Sequence, residues 1–103
     1  MIMNEIEVDV LIIGAGPSGC VAASYLHNQG MNIKVVEKSK FPRFVIGESL
    51  LPRCMDHFEE VGLLDVIKDY GFEIKKGARF LRDDIVCNFD FSKKHTAGWD
   101  WTW

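Results

Sequence analysis

Val8-Asp9-Val10-Leu11-Ile12-Ile13-Gly14-Ala15-Gly16-Pro17-Ser18-Gly19 is the stretch from which the rest of the chain is read. Val8 to Ile13 is β-branched and aliphatic apart from Asp9 and stops at a glycine, the pattern of a strand covered on both faces. Ser18 to Gln29 carries small residues early (Gly19, Cys20, Ala22, Ala23) and Tyr25 and Leu26 later, which predicts a helix packed closely on a sheet and stopped by Gly30. Asn32 to Glu37 then predicts a second strand. Strand, helix and strand in so short a span make a βαβ unit.

The glycines fall at Gly14, Gly16 and Gly19, a G-x-G-x-x-G spacing with a reason for each. Gly14 permits the tight turn from strand to helix, Gly16 lets a diphosphate approach bare backbone, and Gly19 lets the helix close on the strand. The first turn, at Pro17, Ser18 and Gly19, presents free N–H groups where the helix dipole favours an anion. Glu37, at the end of the second strand, can accept hydrogen bonds from both ribose hydroxyls of an adenosine and would repel a 2′-phosphate. Lys38 follows it. The fingerprint alone leaves FAD and NAD both open.

Working outward, Lys38 to Glu48 has no clean period and is read as an ordered loop. Ser49 is expected to cap a helix from about Leu50 to Val61, with Gly62 as its stop, and Leu63 to Tyr70 predicts a second short helix ended by Gly71. Ala78 to Leu81 and Ile85 to Phe91 predict two strands of a hairpin joined by Arg82, Asp83 and Asp84. The tail from Ser92 holds all three tryptophans, for which packing is the expected role.

Composition narrows the classes. The 103 residues suit one small domain, with 48% hydrophobic and 26% charged residues and a net charge of −3. No basic stripe is present, which argues against nucleic acid as the partner. The start, with Glu5, Glu7 and Asp9, lacks the positive region of a secretory signal, and no apolar run is long enough for a transmembrane segment. Cys20, Cys54 and Cys87 are widely spaced, an arrangement that suits neither a disulfide framework nor a zinc site; a cytoplasmic setting and no metal are expected. His27, His57 and His95 stand at unrelated positions.

Gly14-Ala15-Gly16-Pro17-Ser18-Gly19, with Glu37-Lys38 after the second strand, resembles the amino terminus of FAD-dependent monooxygenases of the p-hydroxybenzoate hydroxylase-like superfamily. Phe41-Pro42-Arg43 followed by Gly47-Glu48-Ser49-Leu50-Leu51-Pro52 resembles its flavin-dependent halogenase and geranylgeranyl-reductase-like branch. The resemblance implies FAD as cofactor, Arg43 near its phosphates, and Gly47, Glu48 and Ser49 as a strap beside the flavin. Lys75-Lys76-Gly77-Ala78-Arg79-Phe80 resembles the K-x-G-A-x-F segment of the branch. There a lysine at the position of Lys75 engages the hypohalous acid made at the flavin. An exposed lysine at a strand start is the plainer alternative. Trp99-Asp100-Trp101 and Trp101-Thr102-Trp103 each look like the first half of the halogenase W-x-W-x-I-P signature, which in the family comes later in the chain.

The resemblance implies an α/β fold: an FAD-binding Rossmann-type βαβ unit followed by helices and a β-hairpin, incomplete relative to the family. Residues 1–103 are expected to form the N-terminal portion of an FAD/NAD(P)-binding domain in a larger enzyme and to be inactive alone. That enzyme would take a small organic substrate, with NADH or NADPH as electron donor. It would act by oxygen-dependent hydroxylation or halogenation, or by hydride transfer to a double bond. Two alternatives are the nucleotide-binding unit of an NAD-dependent dehydrogenase and a non-catalytic nucleotide-binding fragment.

Overall fold

A computed structural model describes residues 4–103; the first three positions of the expected domain lie outside the described residues. The chain divides into two compact units, one ending at Phe44 and one running from Val45 to Trp103.

In the first unit, strand β1 (Val10–Ile13), helix α1 (Pro17–Asn28) and strand β2 (Ile33–Val36) follow in order. The strands pair in parallel, in register from Val10 against Ile33 to Ile13 against Val36. Flanking contacts lengthen the ladder at both ends. Asp9 N–H donates to the Asn32 carbonyl at 2.8 Å, and Gly14 N–H to the Val36 carbonyl at 2.7 Å. The Asp9 carboxylate also accepts from Asn32 N–H at 2.8 Å, which explains the one acid in an otherwise apolar run.

Helix α1 begins at Pro17, whose missing N–H costs nothing in a first turn. It ends in a Schellman motif: Gly30 N–H bonds the His27 carbonyl and Met31 N–H the Leu26 carbonyl, with Gly30 left-handed at φ 83°. The expectation of a strand covered on both faces is not met. α1 covers one face of β1, while Ile13 is 83% exposed on the other. A unit of two strands and one helix has no second layer among the described residues.

The second unit holds α2 (Arg53–Glu60), α3 (Leu64–Tyr70) and the antiparallel strands β3 (Gly77–Arg82) and β4 (Ile85–Asp90). Its core is small: Met55 and Phe58 from α2, Val61 just beyond it, and Trp103. The spacing of Met55 and Phe58 puts both on one helix face. Gly62 closes α2 with the same motif as α1, its N–H on Glu59 and Leu63 N–H on Phe58.

One boundary differs from expectation. α2 starts at Arg53 rather than Leu50, and Pro52, not Ser49, occupies the cap position. The residue before a proline avoids helical geometry, and Leu50 N–H is instead engaged by the Trp103 carbonyl at 2.9 Å. The hairpin forms as expected, but with a two-residue turn at Asp83-Asp84, where Asp83 takes φ 52°. Phe80 and Phe89 meet edge-to-face across it, 5.5 Å between centroids.

Candidate functional site

The first unit gathers Gly14, Gly16, Pro17, Ser18, Gly19, Glu37 and Arg43 around the mouth of α1. Gly19 is fixed by contact: a Cβ there would overlap the Gly14 carbonyl oxygen and press on Ile12. Helix and strand meet with no room for a side chain, as the spacing predicted. Gly14 is left-handed at φ 108° and faces open space. Gly16 caps α1 with extended backbone and no side-chain hydrogen bond. The amides of Ser18 and Gly19, in the first turn, have no acceptor within the helix. No acidic side chain stands in that turn.

Glu37 is 13% exposed and faces this mouth. Its Oε2 accepts Ser39 N–H at 3.3 Å, and Arg43 Nη1 lies 2.8 Å from Oε1. The Ser39 amide, helped by the Ala15 amide, the Arg43 charge and the Lys38 amide, holds the carboxyl below its ordinary pKa against the opposing effect of burial. Oε1 is buried and lies beside the Arg43 charge, with no hydrogen-bond partner among the described residues. An acceptor with a free lone pair beside exposed backbone amides fits a ribose hydroxyl next to a diphosphate, so the residues present suit the adenosine half of FAD.

Arg43 carries more than the sequence disclosed. Its guanidinium packs on Phe41, 5.0 Å from the ring centroid, and Nη2 stands 3.5 Å from where a Gly16 Cβ would be. The arginine thus joins the glycine loop to Glu37 and offsets the Glu37 charge, so discrimination against a 2′-phosphate is less electrostatic than the lone carboxylate suggested. The Lys38 side chain is exposed, and the residue acts on Glu37 only through its backbone amide.

The remaining predicted residues belong to the second unit. Gly47, Glu48 and Ser49 form an exposed loop ahead of α2, with Gly47 left-handed at φ 80°. Lys75 is not the exposed strand-start lysine of the plainer alternative. It is half-buried, its Nζ donates to the Leu50 carbonyl at 3.2 Å, and it lies 5.6 Å from the Phe91 ring centroid. Lys76 beside it is exposed. Gly77 is sterically required, since a Cβ would overlap the Phe89 carbonyl. Leu50, Phe91 and Thr102 gave no advance signal, because their approach to Lys75 is non-local. Among the described residues no cluster of His, Cys, Asp or Glu could hold a metal ion.

Residues 9–102 match the family model described as tryptophan halogenase. The chain belongs to the tryptophan halogenase family. A flavin-dependent halogenase of Armillaria mellea is 41% identical over 73 residues, 71% of this chain and 14% of the relative. A tryptophan 2-halogenase of Chondromyces crocatus is 40% identical over 68 residues, covering 66% and 13%. Among solved structures, a flavoprotein/dehydrogenase from Cytophaga hutchinsonii aligns at TM-score 0.84 and 58% identity over 93% of this chain and 24% of that one. The myxobacterial chondrochloren halogenase, an FAD-dependent enzyme, aligns at TM-score 0.77 and 31% identity, over 93% and 23%.

This member of the tryptophan halogenase family therefore spans about a seventh of the curated relatives it matches. The match supports the halogenase side of the expected branch and the flavin that goes with it. The geranylgeranyl-reductase likeness finds no counterpart in these relatives. Neither does the NAD-dependent dehydrogenase or the non-catalytic fragment.

Proposed function

We propose that the chain is the FAD-binding amino-terminal part of a flavin-dependent halogenase acting on a small organic substrate. The observation that carries this reading is the pairing of a glycine-loop site ending in Glu37 and Arg43 with a half-buried, ordered Lys75. When bound, FAD supplies two-electron redox chemistry and the reaction of reduced flavin with oxygen. Gly14, Gly16, Ser18 and Gly19 would bind the diphosphate through backbone, and Glu37 the ribose. Arg43 would add positive charge at the phosphates. Gly47, Glu48 and Ser49 would lie along the flavin, with Lys38 at the periphery. Lys75 would donate a hydrogen bond to the halogen oxidant and orient it toward the substrate.

Reducing equivalents come from NADH or NADPH, directly or through a flavin reductase. The free cysteines Cys20, Cys54 and Cys87 support a cytoplasmic setting, and no described helix is long and apolar enough to cross a membrane. A second reading, a flavin-dependent oxidoreductase that does not halogenate, is favoured by the 58% identity to the Cytophaga hutchinsonii flavoprotein/dehydrogenase.

The full-length protein decides between them. As purified it should show flavin absorbance that bleaches under anaerobic reduction. Re-oxidised in air with chloride or bromide and an aromatic acceptor, it should give a halogenated product. Lys75→Ala should abolish that product while flavin re-oxidation continues. Colourless protein that binds no FAD sinks both readings; a flavoprotein giving no halide-dependent product leaves the second.

A further inference from the structure

We propose that Thr102 is a positioning residue for Lys75, and that Trp101-Thr102-Trp103 clamps the lysine so that its ammonium points one way. The proposal rests on the reading of Lys75 above for its catalytic consequence, not for the contacts themselves.

The contacts close a ring. Lys75 N–H donates to the Thr102 carbonyl at 2.8 Å, and Thr102 N–H donates back to the Lys75 carbonyl at 2.9 Å, an isolated antiparallel bridge. One residue on, the Trp103 carbonyl accepts Leu50 N–H at 2.9 Å. The Leu50 carbonyl in turn accepts the Lys75 ammonium at 3.2 Å. The same short tail segment therefore fixes the backbone of Lys75 and also the carbonyl that holds its tip.

A lysine stem has several free rotors and ordinarily samples many directions. Here both ends are tethered. The Phe91 ring under the ammonium is tethered as well, because Phe91 N–H donates to the Lys76 carbonyl at 3.0 Å.

Thr102 seals the bridge. It is 0% exposed, and its hydroxyl has no hydrogen-bond partner among the described residues. Its side chain is thus present for shape: it keeps water from the two bridge hydrogen bonds, which solvent would otherwise compete for. The flanking rings hold the segment in place, Trp99 on Trp101 at 5.8 Å and Trp101 on Trp103 at 5.1 Å, both edge-on.

The test uses the full-length protein with Thr102→Gly, Thr102→Ala and Thr102→Val. Lys75 is labelled with an amine-acylating reagent and quantified by peptide mass spectrometry against its exposed neighbour Lys76. A second readout is halogenated product formed per flavin re-oxidised. Labelling of Lys75 should rise about threefold or more in Thr102→Gly as the bridge opens, less in Thr102→Ala, and not in Thr102→Val, which restores the shape. Product per flavin should fall in the same order, with Thr102→Val as the rescue. Wild-type labelling rates in folded Thr102→Gly and Thr102→Ala proteins would reject the clamp. If Thr102→Gly does not fold, Thr102→Ala against Thr102→Val gives the same decision. A wild type that halogenates, with faster labelling but unchanged product per flavin in the variants, would reject the positioning role. If the wild type does not halogenate, the functional reading fails by itself, and the labelling order alone upholds or rejects the clamp.

Discussion

Arg43 reaches back to Glu37, with Nη1 2.8 Å from Oε1, while its other terminal nitrogen lies against Gly16. One arginine therefore touches both the diphosphate end and the ribose end of the candidate nucleotide site. Removing either partner should weaken FAD. Charge-assisted hydrogen bonds contribute roughly 1.5–3 kcal/mol, so Arg43→Met and Glu37→Gln should each raise the FAD dissociation constant by about tenfold or more. Quenching of flavin fluorescence on titrating the apoprotein measures this. Wild-type affinity in both variants would remove the site from consideration.

Gly16 and Gly19 should separate binding from folding. A methyl at Gly16 meets only the end of the Arg43 side chain at an ordinary 3.5 Å, whereas one at Gly19 collides with the Gly14 backbone. Gly19→Ala should destabilise the protein by about 1–3 kcal/mol, the usual cost of overpacking. Compared as apoproteins, Gly16→Ala should melt like wild type, yet it should lose FAD, because the methyl occupies the diphosphate's approach. Equal melting losses in the two variants would contradict this.

The acid limb of stability should depend on Glu37. Its folded-state pKa lies below the unfolded value, chiefly through the Ser39 amide. Its contribution is therefore complete above the unfolded carboxylate pKa and is lost as pH falls through the folded one. Glu37→Gln should flatten the decline of melting temperature in that acid window and run parallel to wild type near neutrality. Asp90, lowered by the Ser92 hydroxyl and then the Ser92 amide, behaves with the same sign. Asp90→Asn should flatten the decline independently, since the two carboxylates share no partner.

Thr102→Val should stabilise the protein. It removes a fully buried hydroxyl that has no hydrogen-bond partner among the described residues while keeping the branched shape, a gain of about 1 kcal/mol. A higher denaturant midpoint with unchanged slope would report it. A loss instead would mean that the hydroxyl has a partner.

The legible features were those whose cause is local. Gly30 and Gly62 stop their helices because a left-handed residue is needed there, and the hairpin follows from two β-prone runs around an aspartate turn. Ser49 misled for the opposite reason. Its capping chemistry is local, but Pro52 and the hydrogen bond from Leu50 to Trp103 overrode it. The expected cover on both faces of β1 failed similarly, because cover is supplied by other elements and no residue within the strand can specify it.

By itself the sequence determined the βαβ unit and its glycine loop, since hydrophobic period, glycine spacing and the acid after the second strand are set by neighbours within a few residues. Tertiary structure alone decided that Arg43 would sit on Glu37 and that Lys75 would be held by Leu50, Phe91 and Thr102. The Lys75 contacts join positions far apart in the chain, and Arg43, only six residues on from Glu37, meets it because the loop between them folds back.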